Sequence, residues 1–141
     1  MDHIAIMNKK LGLIDRILSG RKKVETRWYK NKIAPYNQIS AGETVYFKDS
    51  GSLVRAKARV AKVVQFDNLT PTKTKEIISK YGQEIDVTDP TDLSWTLGKN
   101  FAILIWLGDV KAVKPFQINK TGYGTGCAWL VVKNVDIIKA D

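Results

Sequence analysis

Residues 20–28 read GRKKVETRW, and the fold depends on how this stretch is taken. Val24, Thr26 and Trp28 alternate with Lys23, Glu25, Arg27 and Tyr29, the two-residue period of a β-strand. Just upstream, Leu11, Ile14 and Leu18 fall at i, i+3 and i+7, with Leu13 and Ile17 beside them, as in an amphipathic helix. Asn8 suits the N-cap and Gly20 the left-handed position past the C-terminus. Gly12 is expected to weaken this helix without ending it. The stretch is therefore a junction where a helix hands over to a strand, and four basic residues crowd Glu25 there.

Further out, residues 3–7 (HIAIM) predict a short strand before the helix. Residues 43–49 (ETVYFKD) and the alternating run from Val54 predict a hairpin with Arg55, Lys57 and Arg59 on one wet face. A second helix is expected from Thr70 as N-cap and Pro71 as first residue, closing at Gly82. A short helix from Pro90, a buried strand at 101–107 (FAILIWL) closed by a turn, a glycine-rich loop over 115–127 and a last strand from Ala128 complete the chain. This pattern predicts an α+β class with a small curved or barrel-like sheet and two or three helices, in a single domain over residues 1–141.

The chain carries a formal charge of +9, and its placement is uneven. Residues 1–62 hold 14 Lys and Arg against 5 Asp and Glu, and the rest hold 9 of each. A basic face that attracts phosphate is the expected consequence. Cys127 is the only cysteine and His3 the only histidine, so a Cys/His zinc site lacks its ligands and no metal or cofactor is expected. His3 has no evident partner, and Cys127 is expected to be a small buried residue. Asp86, Asp89 and Asp92 read as caps rather than as a metal cluster. The longest apolar run is too short to span a bilayer, and residues 1–12 do not read as a signal peptide, so a cytoplasmic protein is expected.

Several residues are candidates for ligand contact. On a strand, Glu25 and Arg27 stand side by side, about 7 Å apart at their bases. Lys22, at the junction, can reach the start of that strand. Desolvation would turn it towards a base or nucleophile. Against this stands an ordinary surface ion pair, worth about 0–1 kcal/mol. Trp28 and Tyr29 offer faces for base stacking, with Trp95 and Trp129 as additions, although Trp28 shares the apolar face of Val24. Trp106, inside the apolar run, reads as core. Lys48 and Ser50 flank a turn, and Lys120, Tyr123 and Thr125 stand in the glycine-rich loop. The spacing of Gly122, Gly124 and Gly126, with a strand after them, rules out Rossmann and Walker readings.

The motif residues Gly20, Lys22, Glu25 and Arg27 fit G-x-K-x-x-E-x-R, and this pattern resembles that of the ASCH domain. The preceding LIDRIL, the following SAGETVYFKDSG and the run into VVQFDNLTP are similar to the same family, as is the element order. The resemblance implies a PUA-like β-barrel with a cleft between the barrel and the first helix. It implies RNA or a modified nucleoside as partner, held by Lys22, Glu25, Arg27, Trp28, Tyr29, Lys48, Ser50, Lys120 and Tyr123. Arg21, Lys23, Lys30, Arg55, Lys57 and Arg59 would track a nucleic-acid backbone. One branch of the family resembles a hydrolase of acetylated cytidine nucleosides and another a ribonuclease, so the alternative is a hydrolase with Lys22 and Glu25 at its centre. The first branch uses a threonine where this chain has Glu25 and a glutamate near Ile77, where Glu76 is one residue off. Those departures favour binding over catalysis.

Overall fold

Strand β1 (Asp2–Met7) leads into a 3-10 turn (Lys9–Leu11), a short helix α1 (Leu13–Leu18) and strand β2 (Val24–Tyr29). Strands β3 (Thr44–Asp49) and β4 (Val54–Phe66) form the expected hairpin, followed by helix α2 (Pro71–Ile85). Strand β5 (Phe101–Ile118), strand β6 (Trp129–Val132), a second 3-10 turn (Val135–Ile137) and strand β7 (Lys139–Ala140) complete the path. This computed structural model describes residues 1–87, 96–124 and 126–140. The helix expected from Pro90, with Asp89, Asp92 and Trp95, and Thr125 of the loop, lie outside the described residues.

The strands form one mixed sheet in the order β2-β5-β4-β3-β1-β6, with β7 added to β5. Strands β1 and β3 run parallel, and every other pairing is antiparallel. Strands β4 and β5 are long, and their register slips at Val54/Ala56, Lys57/Arg59 and Val60/Lys62. Each slip bends and twists the strand. The sheet therefore curls, giving an α+β half-barrel with helices against it.

Apolar side chains fill three layers. The hollow of the curled sheet holds Ala5, Met7, Val45, Phe47, Ala58, Ile103 and Ile105, closed by Ile14 and Ile17 of α1. Helix α2 packs Ile77 and Ile78 against Val24, Trp28 and Leu104 on the other face of β2 and β5. A third layer sets Ile4, Leu130 and Val132 against Val135 and Ile138. The run 101–107 is thus buried from both sides, Ile103 and Ile105 inward and Ala102 and Leu104 towards α2. That explains why it reads as continuously apolar rather than alternating.

Four sequence expectations need correction. Gly12 does end a helix: its φ of 61° is left-handed, and it separates the 3-10 turn from α1. Helix α2 runs on past Gly82 to Ile85 and is closed by Asp86 in the left-handed conformation, with φ 66°. The turn expected after Leu107 is a kink inside β5, with Asp109 at φ 48°, because β4 is long enough to keep pairing beyond it. Trp106 packs against the α2-side core but stays half-buried, its indole Nε1–H reaching Glu84 Oε2 at 2.8 Å.

Candidate nucleotide-binding cleft

The two faces of β2 have separate tasks. Trp28 turns to α2 and is 6% exposed, so it is core. Glu25 and Arg27 lie on the opposite face and line a cleft of about 680 Å³. The cleft opens between the end of β1 (Ile6 and Met7), the 3-10 turn (Asn8, Lys9 and Lys10), Leu13 of α1, Ser50 of the β3–β4 turn, and Lys120 with Gly126–Ala128. The parallel register brings these parts together: Ile6 pairs with Lys48 and Met7 with Asp49, and the amide of Ser50 donates to the Met7 carbonyl at 2.9 Å.

Glu25 is buried, 3% exposed. Its Oε1 accepts from the amide of Thr26 at 2.8 Å, and its Oε2 has no hydrogen-bond partner among the described residues. A buried carboxylate oxygen left in this state loses its hydration without replacement, which costs about 1–3 kcal/mol or more. Lys22 is also buried, but it does not line the cleft. Its ammonium donates to the carbonyl of Ile85, the last residue of α2, at 3.0 Å. Burial pushes the Lys22 pKa down, while the charges of Glu25 and Asp86 pull it up again.

Arg27 is committed to the protein. Its guanidinium donates to the carbonyls of Ile6 at 3.2 Å and Ala128 at 3.3 Å and lies 5.0 Å from the centre of the Trp129 ring. It therefore ties β1 to the segment before β6 at the cleft wall. Tyr29 is half-buried against the inner core beside Arg27, and burial pushes its phenol pKa up. Lys48 is only 8% exposed; burial, and then the charge of Lys120, lower its pKa. Ser50 and Lys120 line the cleft, and Tyr123 stands exposed outside it.

The residues expected to track a backbone divide. Arg55 is engaged by Asp15 at 3.0 Å and Asp49 at 3.9 Å. Arg21 stands 3.7 Å from Asp86. Lys23, Lys30 and Arg59 have exposed side chains, and Lys57 lies opposite both Tyr46 and Lys111. Glu76 is exposed on α2 and Ile77 is core, so neither lines the cleft.

Sequence reasoning missed the 3-10 turn as a cleft wall, although the cations of Lys9 and Lys10 directly after a strand were a usable signal. It also missed His3. That ring is fully buried and bonds Glu43 Oε1 at 2.9 Å and the Trp129 indole at 3.0 Å. Cys127 is half-buried in the cleft wall and packs against the layer of Ile4 and Leu130, with its thiol donating to the Trp129 carbonyl at 3.0 Å. Among the described residues no three His, Cys, Asp or Glu are grouped to hold a metal ion, and no helix is long and apolar enough to cross a membrane.

Solved structures supply the comparison. An ASCH protein from Zymomonas mobilis superposes with a TM-score of 0.69 at 16% identity, over 94% of this chain and 87% of that one. A variant of it, with a tyrosine replaced by phenylalanine, gives 0.71 at 15% identity over 96% and 93%. The chain has the ASCH fold. A hypothetical protein of solved structure shares it more loosely, with a TM-score of 0.52 at 18% identity over 80% of this chain and all of that one. No family model and no curated protein matches the sequence. At such identities the ASCH likeness speaks for the fold, and the chemistry has to come from this chain's own residues.

Proposed function

We propose that this is an RNA- or modified-nucleoside-binding ASCH-like domain that uses the cleft around Glu25 and Arg27. The observation that carries the reading is the make-up of that cleft. Lysines 9, 10 and 120 line it together with one buried carboxylate, and the walls of Ile6, Met7 and Leu13 are apolar. A cleft of 680 Å³ falls within the roughly 300–1,000 Å³ of small-molecule sites. Cations at the rim with apolar walls suit a ligand that is anionic at one end and flat and apolar in the middle, as a nucleotide is. The exposed cations Lys23, Lys30 and Arg59 extend the positive field over the surface.

The test is titration of fluorescent single-stranded RNA into the protein at several salt concentrations. Phosphate contacts release counterions, so affinity is expected to fall steeply with salt. A flat response would remove the backbone-tracking part, and no binding of RNA or mononucleotides would remove the reading. The hydrolase alternative has one observation in its favour, the lowered pKa of buried Lys22. It ranks second because that ammonium is spent on the Ile85 carbonyl, away from the cleft lining. Incubation with acylated nucleosides and with RNA, followed by product analysis, tests it directly.

A further inference from the structure

The cleft has two chemically different poles. On one side is Glu25, whose Oε1 is occupied by the Thr26 amide and whose Oε2 is without a partner among the described residues. A carboxylate only accepts, so a ligand group that satisfies this oxygen has to be a donor. The other pole is the set of cations that line the cleft, Lys9, Lys10 and Lys120. Lys48 is buried and pairs in register with Ile6, but it is not among the lining residues. Cations gathered on one lining form a place for an anion. Arg27 also lines the cleft, but its position is fixed by bonds from its guanidinium to the carbonyls of Ile6 and Ala128.

We propose that the cleft takes a nucleotide in one orientation, with its phosphate among Lys9, Lys10 and Lys120 and an exocyclic amine of its base against Oε2 of Glu25. This rests on the nucleotide reading above and adds base selectivity to it. Bases with an exocyclic amine fit, and bases with a keto oxygen in its place meet the carboxylate acceptor to acceptor. The discrimination is between edges of otherwise equal size: cytosine against uracil, and adenine against hypoxanthine. One good base-edge contact is worth about 1–3 kcal/mol, or roughly 5- to 150-fold.

The experiment is calorimetric titration of CMP, UMP, AMP and IMP, with inorganic phosphate as a control, into the wild-type chain, Glu25→Gln and Lys120→Ala. Expected are at least about fivefold tighter binding of CMP than UMP and of AMP than IMP. Glu25→Gln, which can place an amide donor at the same position, reverses both ratios. Lys120→Ala weakens all four nucleotides alike. Equal binding of the four, or ratios unchanged in Glu25→Gln, overturns this orientation while leaving nucleotide binding standing. Absence of binding by any nucleotide overturns the underlying reading as well. Should Glu25→Gln fail to fold, the two wild-type ratios decide alone.

Discussion

The indole Nε1–H of Trp129 donates to Nδ1 of His3 at 3.0 Å. Indole can only donate, so Nδ1 carries no proton and the neutral ring keeps its hydrogen on Nε2, which donates to Glu43 Oε1 at 2.9 Å. Trp129 in turn supports the Arg27 guanidinium on its face. A line of contacts thus runs from Glu43 at the edge of β3 to the cleft wall.

This line predicts a pH dependence of stability. Burial lowers the His3 pKa below 6.5, against the opposing pull of Glu43. The unfolded chain then binds a proton that the folded chain refuses, so stability falls as pH drops through 6.5 towards the folded-state value. Urea unfolding at pH 7.5, 6.0 and 5.0 is expected to show this loss, and His3→Gln to flatten it. An equal slope in both proteins would contradict the neutral, buried ring.

Lys22→Ala is expected to destabilise the fold by about 1–3 kcal/mol, because it removes the donor to Ile85 and leaves Glu25 and Asp86 with one less cation. Urea denaturation at neutral pH measures it. This makes alanine at position 22 a poor probe of function: a loss of binding would be confounded by loss of structure. An unchanged midpoint would show that the buried ammonium contributes nothing net.

Trp28→Ala is expected to cost about 3–5 kcal/mol, the usual range for removing a large aromatic side chain from a core. Trp28→Phe should leave nucleotide affinity within twofold, about 0.4 kcal/mol, since the ring faces α2. A large loss of affinity in a Trp28→Phe protein with near-native stability would put the ring back among the base-stacking residues.

Arg27→Lys keeps the charge and loses the fork. A lysine cannot span the Ile6 and Ala128 carbonyls while lying flat on Trp129. The expected cost is about 1.5–3 kcal/mol of stability, with faster amide exchange across Ala128–Leu130. Unaltered exchange in that segment would show that the bridge does not hold it.

Much of the architecture was legible because it rests on local pattern. The alternation of Val24 to Tyr29 gave β2 and its two faces, and Thr70–Pro71 marked the start of α2. The resemblance carried by Gly20, Lys22, Glu25 and Arg27 pointed to the fold that the solved structures share. What stayed hidden depends on distant parts of the chain. Lys22 looked free to swing over its strand, and only the arrival of α2 at Ile85, 63 residues on, fixes it. Arg27 looked available for phosphate until β1 and Ala128 supplied carbonyls. His3 found Trp129 across 126 residues, through the pairing of β1 with β6. Gly12 misled for a different reason: propensity says that glycine weakens a helix, but not that the chain will use its left-handed conformation to turn.

The seam between β2 and the last turn of α2 works as a gauge. Lys22 holds the Ile85 carbonyl, the Lys23 amide holds Glu84 at 2.8 Å, and the Glu84 carboxylate holds the Trp106 indole. Glu25, two residues beyond Lys23, is the part of this seam that meets the cleft. Loosening of α2 from β2 would expose more of a half-buried tryptophan to water, so the emission of Trp106 is expected to report how tightly this seam is closed.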